Sequence, residues 1–499
     1  MNILAKIRER FGVFSQPQPL PQPVEQRSTG YFAAEYSRIT SSLVGEARHI
    51  NEIIRWQGYT LLARSRQLAD NNPYASKFLQ MVTNNVCGPA PFQLQGRIST
   101  KAGKADKLGN SLIETGWADW SRAKNCDRYG RLSLADIYRL VSRLIARDGE
   151  VLIRLHEGRK AGRYGLQLQV IDTDRLDFNH NEQLAGGNVI HAGVEIDPEG
   201  RTVAFHIRKQ RPADWQFNNR YRAEYERVPA EQMIHAFIAL SAEQVRGVPW
   251  IYASLMNLHQ LGAFEEAAII AARVGAAKMG FFEKDPDTVA EYEGKKDSTG
   301  AKQTDAEPGT FEELPAGLKL TTWDPAYPDA QVEPFMKSCL RGVAAGYGVS
   351  YHTLGNNLEA VNFSSARAGV LDERDYWMTI QSWFSEHICT ELYERWLEMS
   401  AMTGALSLVG SLDKYRSVYF QPRRWSWVDP LKDVNASIEA IKWGLKSRTE
   451  VIAEQGKDIA DTFDQLAAES ALAAEKNVTI VEEKTGGQPN VQQNDQTGE

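Results

Sequence analysis

The stretch from 329 to 396 constrains the fold more than any other part of this 499-residue chain. Apolar side chains recur at steps of three and four over 330–345, and again over 377–399, which predicts two helices. Gly346 and Gly348 follow the first of these patterns and are typical of a helix end. The segment between the two patterns has neither helical nor strand periodicity. The sequence therefore predicts a loop held between two rigid helices.

The same stretch is similar to a known protein family. The similarity is carried by the run Cys339-Leu-Arg-Gly-Val-Ala-Ala-Gly-Tyr-Gly-Val-Ser-Tyr-His-Thr-Leu-Gly-Asn-Asn, continued by 362–367, which resembles the portal proteins of tailed bacteriophages. Within these, it resembles the lambda-like portal family. Two further matches follow the family in the same order, at 233–250 and at 427–469. The resemblance therefore covers most of the chain, from about residue 30 to about residue 475.

The resemblance implies an α+β portal-type subunit with long stem and wing helices, a mostly antiparallel β wing, a small α/β clip and a helical crown. The expected parts are a flexible N-terminal arm (1–30), the helical part of the wing (31–148), the β-rich wing (149–250), a descending stem helix (251–280), the clip (281–328), a returning stem helix (329–346), a tunnel loop (347–364), a long wing helix with a return strand (365–428), a helical crown (429–476) and a disordered tail (477–499).

The residue patterns independently predict most of these elements. Helical periodicity and capping residues predict helices at 46–69, 73–86, 104–124, 134–147, 255–280, 430–443 and in two further segments before 476. Alternating apolar and polar residues predict strands near 151–155, 166–170 and 203–207, with short strands at 278–282, 318–323 and 415–421. The turns between the first strands are short, so we expect a mostly antiparallel sheet.

The predicted helix at 255–280 is rich in small residues, among them Ala268, Ala272 and Gly275. Small side chains allow neighbouring helices to approach closely, so we expect these three residues to form a packing face of the stem. Charged residues interrupt the apolar run before it reaches the length of about 20 residues that a membrane span needs. The sequence therefore predicts a packed stem helix and no membrane segment.

The segment that follows is acidic, with ten acidic and four basic residues from Glu283 to Glu313. By resemblance it is the clip, where terminase and later the head-tail adaptor would dock. The candidate docking residues are Asp285, Asp287, Glu291, Glu293 and Asp297. The alternative for 294–307 alone is a flexible surface excursion.

The loop between the two helices would, by resemblance, project toward DNA in the channel. The candidate contact residues are His352, Asn356, Asn357, Asn362 and Arg367. Asparagine amides offer hydrogen bonds to phosphates without a fixed charge, which suits contacts that must be replaced as DNA moves. The net charge of −7 also argues against a protein that grips DNA by broad phosphate neutralisation. The alternative is that the asparagines only shape a turn.

A pair of arginines beside tryptophans near the end of the wing has two interpretations. Arg423 and Arg424 precede Trp425 and Trp427, a combination that stacks bases in some nucleic-acid-binding proteins. The same combination also forms packed tryptophan layers with arginines over their rim. We expect the packed layer.

No catalytic, cofactor or metal site is indicated by the sequence. It lacks the phosphate-binding, dinucleotide-binding, serine-hydrolase and zinc-protease motifs, and Cys87, Cys126, Cys339 and Cys389 lack ligand spacing. Two alternatives to a portal stay open, namely another head structural or DNA-binding adaptor protein, and an enzyme of an unrecognised class. The mass of the particle distinguishes a portal from an enzyme, because a portal forms a large ring of about twelve subunits, whereas a monomer or dimer with turnover points to an enzyme.

The expected function follows from the resemblance. The chain would form a ring, typically a dodecamer, at one capsid vertex and give double-stranded DNA its path during packaging and ejection. Its partners would be further copies of itself, terminase, the major capsid protein and the head-tail adaptor, and it would nucleate capsid assembly. Residues 1–14 form a short basic amphipathic stretch and not a signal peptide, so we expect synthesis in the host cytoplasm and residence in the virion.

Overall fold

The computed structural model describes residues 38, 47–100, 104–209, 224–276, 280–284, 318–322, 332–357, 363–425 and 430–476. The chain divides into two compact units, Met1–His49 and Ile50–Glu499, and all the elements named below belong to the second. This unit combines helices with antiparallel sheets, so the predicted α+β class is confirmed. The predicted N-terminal arm and C-terminal tail lie outside the described residues.

The second unit is mostly helical up to Asp148. The helices of this part are α1 (Ile50–Asn71), α2 (Pro73–Val86), α3 (Lys107–Trp120), α4 (Ala123–Cys126) and α5 (Leu134–Asp148). The single helix predicted at 104–124 is therefore wrong, because the chain breaks between α3 and α4. The Ser121 hydroxyl donates to the carbonyl of Trp117, and Asn125 donates to the carbonyl of Asp119, so side chains occupy backbone acceptors there.

The helix boundaries follow from local capping chemistry. The Asn72 side chain accepts the backbone N–H groups of Tyr74 and Ala75, which caps α2 directly after α1 ends. Ser133 starts α5 with a reciprocal capping box, and Gly149 ends it at φ +91°. The left-handed conformation at this helix end favours glycine.

Two antiparallel sheets follow. The first is three-stranded, in the order β3–β2–β9, and is built from β2 (Glu150–Glu157), β3 (Leu166–Ile171) and β9 (Met233–Phe237). The second has five strands in sequential order, namely β4 (Glu182–Gln183), β5 (Val189–His191), β6 (Val194–Ile196), β7 (Thr202–Arg208) and β8 (Tyr225–Pro229). All of their strand pairs are antiparallel, as predicted.

A buried ion pair joins these sheets to the segment that leads into the next helix. Arg246 donates to both carboxylate oxygens of Glu150 at 2.5–3.0 Å, and both residues are almost fully buried. His235 and the backbone N–H of Gly247 also bond this carboxylate, each at 2.8 Å. Burial alone would raise the pKa of Glu150, but the Arg246 charge and these hydrogen bonds outweigh it and lower the pKa to about 2.

Two helices and a strand pair form the middle of the chain. They are α6 (Leu255–Ala276), β10 (Gly280–Lys284), β11 (Leu318–Thr322) and α7 (Val332–Tyr347). The two strands pair antiparallel with Gly280 opposite Thr322, so both short strands predicted here are confirmed. A one-turn helix, α8 (Tyr351–Leu354), follows α7. The segment predicted to be an irregular loop therefore contains a helical turn, which is too short to show periodicity.

The second arm is one long helical run, from α9 (Phe363–Phe384) through a π-helical segment (Ser385–Thr390) to α10 (Glu391–Thr403). Its buried apolar residues include five that recur at steps of four, namely Ile380, Phe384, Ile388, Leu392 and Trp396. In a regular α-helix four such steps drift by roughly 160°. The wider turn of the π segment offsets part of this drift and keeps the five side chains on the core side.

The C-terminal elements return to the core and leave it again. They are β12 (Val418–Gln421), α11 (Pro430–Lys442), α12 (Arg448–Glu454) and α13 (Ile459–Lys476). The strand β12 pairs antiparallel with β1 (Gln93–Gly96), which lies between α2 and α3. The strand predicted at 415–421 is shorter than expected, because Leu412–Arg416 forms a 3-10 helix. There the buried Tyr415 accepts the N–H of Val409 through its hydroxyl.

Candidate functional site

The helices α6 and α7 pack against each other and form the candidate stem. They meet through Phe264, near the middle of α6, and Phe335, near the start of α7, whose ring centroids lie 5.1 Å apart. Near the other end, the Ser254 hydroxyl donates to the carbonyl of Val343 at 3.3 Å. A Cβ added at Gly346 would collide with this hydroxyl, so the close approach requires glycine.

The base of this helix pair is fixed to the corner between α1 and α2. Asn72 donates to the carbonyl of Leu258 at 3.4 Å, and the Tyr74 hydroxyl donates to Glu265 at 3.0 Å. Burial and the Glu265 charge raise the pKa of Tyr74 to about 12, so the phenol stays a donor at neutral pH. Tyr347 at the end of α7 stacks on Phe78 at 4.2 Å. The stem is therefore anchored at one end.

Away from this base the helix pair exposes apolar surface. Leu258 and Leu261, near the start of α6, are buried. Further along, Ile269 is 60% exposed, Ile270 is 52% exposed, and Phe335 on α7 is 51% exposed. The periodicity of the sequence does not predict that these three residues form an exposed surface. It does show apolar residues on all sides of α6, which is typical of a helix surrounded by protein. We call Ile269, Ile270 and Phe335 the apolar stem surface.

The predicted small-residue face lies elsewhere on the same helix. Ala268 and Ala272 are half-buried and follow Phe264 at steps of four, so they share the side of α6 that carries the contact with Phe335. Gly275 lies in the last turn of α6, at the next step of this face. The small residues thus share a face with the intrachain helix contact, whereas the isoleucines face outward.

The candidate clip residues fall outside the described part of the chain. Asp285, Asp287, Glu291, Glu293 and Asp297 all belong to the segment between β10 and β11. Because these two strands pair, the residues that flank the segment, Lys284 and Leu318, lie opposite each other.

The candidate channel residues are only partly described. Asn356 has φ +49°, a left-handed conformation that asparagine tolerates better than most residues, so it shapes a turn. The Asn357 backbone carbonyl contacts Nδ1 of His352 at 3.0 Å, and its side chain donates to the Tyr351 hydroxyl at 3.4 Å. Asn362 lies outside the described residues, and Arg367 lies in α9, where its side chain is not described.

The arginine and tryptophan cluster is a packed layer, as expected. Trp425 donates from Nε1 to Asn85 at 2.9 Å, and the guanidinium groups of Arg374 and Arg423 lie over its ring. Arg423 also donates to the carbonyl of Asn84. The ring and its arginines are thus occupied within the chain. Trp427 lies outside the described residues.

Elsewhere in the described part of the chain, titratable groups form ion pairs and small networks in which arginines neutralise the carboxylates. In the five-stranded sheet, hydrogen bonds from Arg227 outweigh burial and, with Asn188 and His206, lower the pKa of Glu195 to about 2. Among the described residues, no group of three or more His, Cys, Asp or Glu side chains is arranged to hold a metal ion.

Comparison with known protein families identifies the family of this chain. The model of the lambda family of phage portal proteins matches residues 36–381. This chain belongs to the lambda family of phage portal proteins. The resemblance found in the sequence is confirmed, and of the alternatives left open by the sequence, the portal is the one that the family supports.

Relatives of this portal-family chain include three phage proteins. The probable portal protein of Halomonas phage phiHAP-1 is 32% identical over 478 residues, covering 94% of this chain and 92% of the relative. The portal protein of Escherichia phage N15 is 22% identical, and portal protein B of Escherichia phage lambda is 21% identical. Both of these alignments cover 82% of this chain and 83% of the relative.

Similar solved structures come from gene transfer agent (GTA) particles. A chain from the neck of an empty particle has 13% identity and a TM-score of 0.42, covering 80% of this chain and 93% of that one. A chain from the virion of a native particle has 12% identity and a TM-score of 0.41, with the same coverage.

Family membership makes this portal protein a structural component of the virion capsid. In the part of the chain that the structure describes, no helix is both long enough and apolar enough to cross a membrane.

Proposed function

We propose that this portal subunit assembles into a ring of identical copies, a dodecamer, at one vertex of the capsid. The ring gives double-stranded DNA its path during packaging and ejection, and it has no catalytic activity of its own. The chain is made in the host cytoplasm and nucleates assembly of the major capsid protein around the ring.

The observation that carries this proposal is the apolar stem surface. Ile269, Ile270 and Phe335 are each more than half exposed in the single chain, and they lie on two neighbouring helices. A soluble monomer gains nothing from such a surface, whereas a ring buries it between neighbouring stems. One side of α6 meets α7 of its own chain, which leaves the opposite side for the next subunit.

The remaining parts are assigned by their order in the chain relative to the two stem helices. The segment between β10 and β11 is the clip, and its acidic residues dock basic groups of terminase and then of the head-tail adaptor. The loop that contains Asn356 and Asn357 contacts the DNA through uncharged amides. Weak contacts can break and re-form as the duplex moves. Strong cationic contacts repeated around a ring would bind the duplex too tightly for it to move.

The proposal is tested by supplying capsids with terminase, ATP and linear DNA, with and without the purified ring. Protection of DNA from nuclease is expected only when the ring is present. The control ring carries Met402→Ser, an exposed position outside the α6–α7 pair, and packages normally. Equal protection without the ring would overturn the proposal.

A further inference from the structure

A single buried carboxylate on the long helix holds the start of the candidate channel loop. Glu373 of α9 is 8% exposed, and its Oε2 accepts the backbone N–H of Ser350 at 3.1 Å and the Thr353 hydroxyl at 3.2 Å. Its Oε1 accepts Nε1–H of Trp377 at 3.0 Å. Among the described residues, no lysine or arginine forms an ion pair with Glu373. Its retention near the core therefore depends on these three donors.

The surrounding packing directs this contact at the loop. Gly348 has φ +67°, and a Cβ added there would lie 3.7 Å from the ring of Tyr376 on α9. A Cβ added at Gly369 would lie 3.7 Å from the Ser350 hydroxyl. The long helix therefore runs alongside 348–353 over at least two of its turns. Glu373 supplies the polar contact between the helix and this segment.

The geometry connects both ends of the loop to the same helix. The near end is held at Glu373, and the far end enters α9 at Phe363, about 15 Å away along the helix axis. Between them, Leu354 is buried, whereas Asn356 is exposed in its left-handed turn. The described contacts thus join 348–353 to the long helix.

We propose that Glu373 is a positioning residue that couples the channel loop to the long helix, so that the loop keeps one position relative to the wing while DNA passes. This inference rests on the proposed function, because it assumes that the loop meets DNA. Glu373 itself does not contact the DNA. It acts by holding Ser350 and Thr353, which precede the described candidate residues Asn356 and Asn357.

The test compares Glu373→Gln with Asp372→Asn, which removes the same charge from the adjacent, exposed position of the same helix. A glutamine at 373 presents an amide nitrogen to at least one of the three donors. Because a hydrogen bond to a charged group is lost, amides of 348–357 should exchange with deuterium roughly tenfold faster or more. Amides of β2 should be unchanged, and Asp372→Asn should exchange as wild type throughout.

The functional arm measures the rate of DNA packaging by rings of each variant. Glu373→Gln is expected to package more slowly at normal ring mass, and Asp372→Asn at the wild-type rate. Thr353→Val removes one donor without touching the carboxylate, and it should give a smaller effect in the same direction. If Glu373→Gln fails to form rings, Thr353→Val alone decides.

Two results would overturn the inference. Exchange at 348–357 that matches wild type in Glu373→Gln or, where that variant forms no ring, in Thr353→Val would show that the contact does not hold the loop. Faster exchange with an unchanged packaging rate would show that holding the loop has no bearing on DNA. A failure of the proposed contact between loop and DNA is recognised separately, because rings with lysines at Asn356 and Asn357 would then also package normally. A failure of the portal function itself would show as equal DNA protection without the ring.

Discussion

The apolar stem surface gives the most specific prediction about assembly. Replacing Ile269 and Ile270 together with serine removes two side chains that are 60% and 52% exposed in the single chain. Serine and isoleucine have similar helix propensities, so α6 itself should be little affected. Full burial of an isoleucine contributes about 1.5–3 kcal/mol, so burying the exposed fractions of both contributes about 2–3 kcal/mol per contact.

That free energy corresponds to a roughly 30- to 150-fold weaker association at each contact between subunits. The assay is native mass spectrometry over a dilution series, with the wild-type ring expected at about 670 kDa for twelve 56.0 kDa chains. The double variant should dissociate at protein concentrations where the wild type stays assembled, and its thermal unfolding as a separated subunit should match the wild-type subunit.

The control is the pair Met402→Ser and Val409→Ser, which are 79% and 78% exposed but lie outside the α6–α7 pair. This variant should keep the wild-type dilution profile. Identical dilution profiles for the Ile269 and Ile270 variant and the wild type would refute the assignment of the apolar stem surface to the subunit contact.

Three further predictions concern stability, DNA and the clip. Arg246→Met leaves Glu150 buried without its cation and should lower the free energy of unfolding by about 3–5 kcal/mol in a denaturant titration. Because the pKa of Glu150 is lowered from 4.5 to about 2, this stability is present above pH 4.5 and is lost as pH falls toward 2; a wild-type unfolding profile that is flat over this range would contradict it. Lysines at Asn356 and Asn357 should leave the ring intact but slow packaging, most at low salt, where screening is weakest; an unchanged rate at every salt concentration would count against loop contact with DNA. Deleting 294–307 should leave the ring intact and weaken terminase binding in a pull-down titration, and unchanged affinity or loss of the ring would contradict the clip assignment.

Local chemistry made much of the fold predictable. Asn72 and Ser447 cap their helices, and such caps can be found in a sequence because each depends on residues within one turn. The two short strands around the clip segment were also predictable, although more than 30 residues separate them. Local patterns predicted the two strands, but their antiparallel pairing became known only from the structure.

Contacts between distant residues were not predictable from one sequence. Glu150 and Arg246 are 96 positions apart, and nothing in either local pattern indicates that they pair. The π-helical segment left a trace, in the repeated steps of four from Ile380 to Trp396, which a regular helix does not keep on one side. The sequence alone contains this spacing, but periodicity at steps of three and four predicts only an ordinary helix there.

The sequence predicted the stem helices of the candidate site, but it did not predict which of their residues are exposed. The small residues Ala268 and Ala272 mark α6 as a helix that packs closely, and the structure places them on the face that carries its intrachain contact. The exposure of Ile269 and Ile270 depends on what α7 leaves uncovered, which only the assembled chain determines. The sequence does not indicate Glu373 as a functional residue, because its role depends on hydrogen bonds from Ser350 and Thr353, which lie 23 and 20 positions earlier in the chain.

In the proposed ring, the stems of neighbouring portal subunits are in contact through α6. The most direct measurement is electron microscopy of the purified protein viewed along the particle axis, combined with cysteine cross-linking between positions 270 and 335. We expect closed rings, twelvefold in axial views, with an open centre and cross-links that join different subunits. Monomers or dimers in the images, or rings whose cross-links form only within one chain, would contradict it.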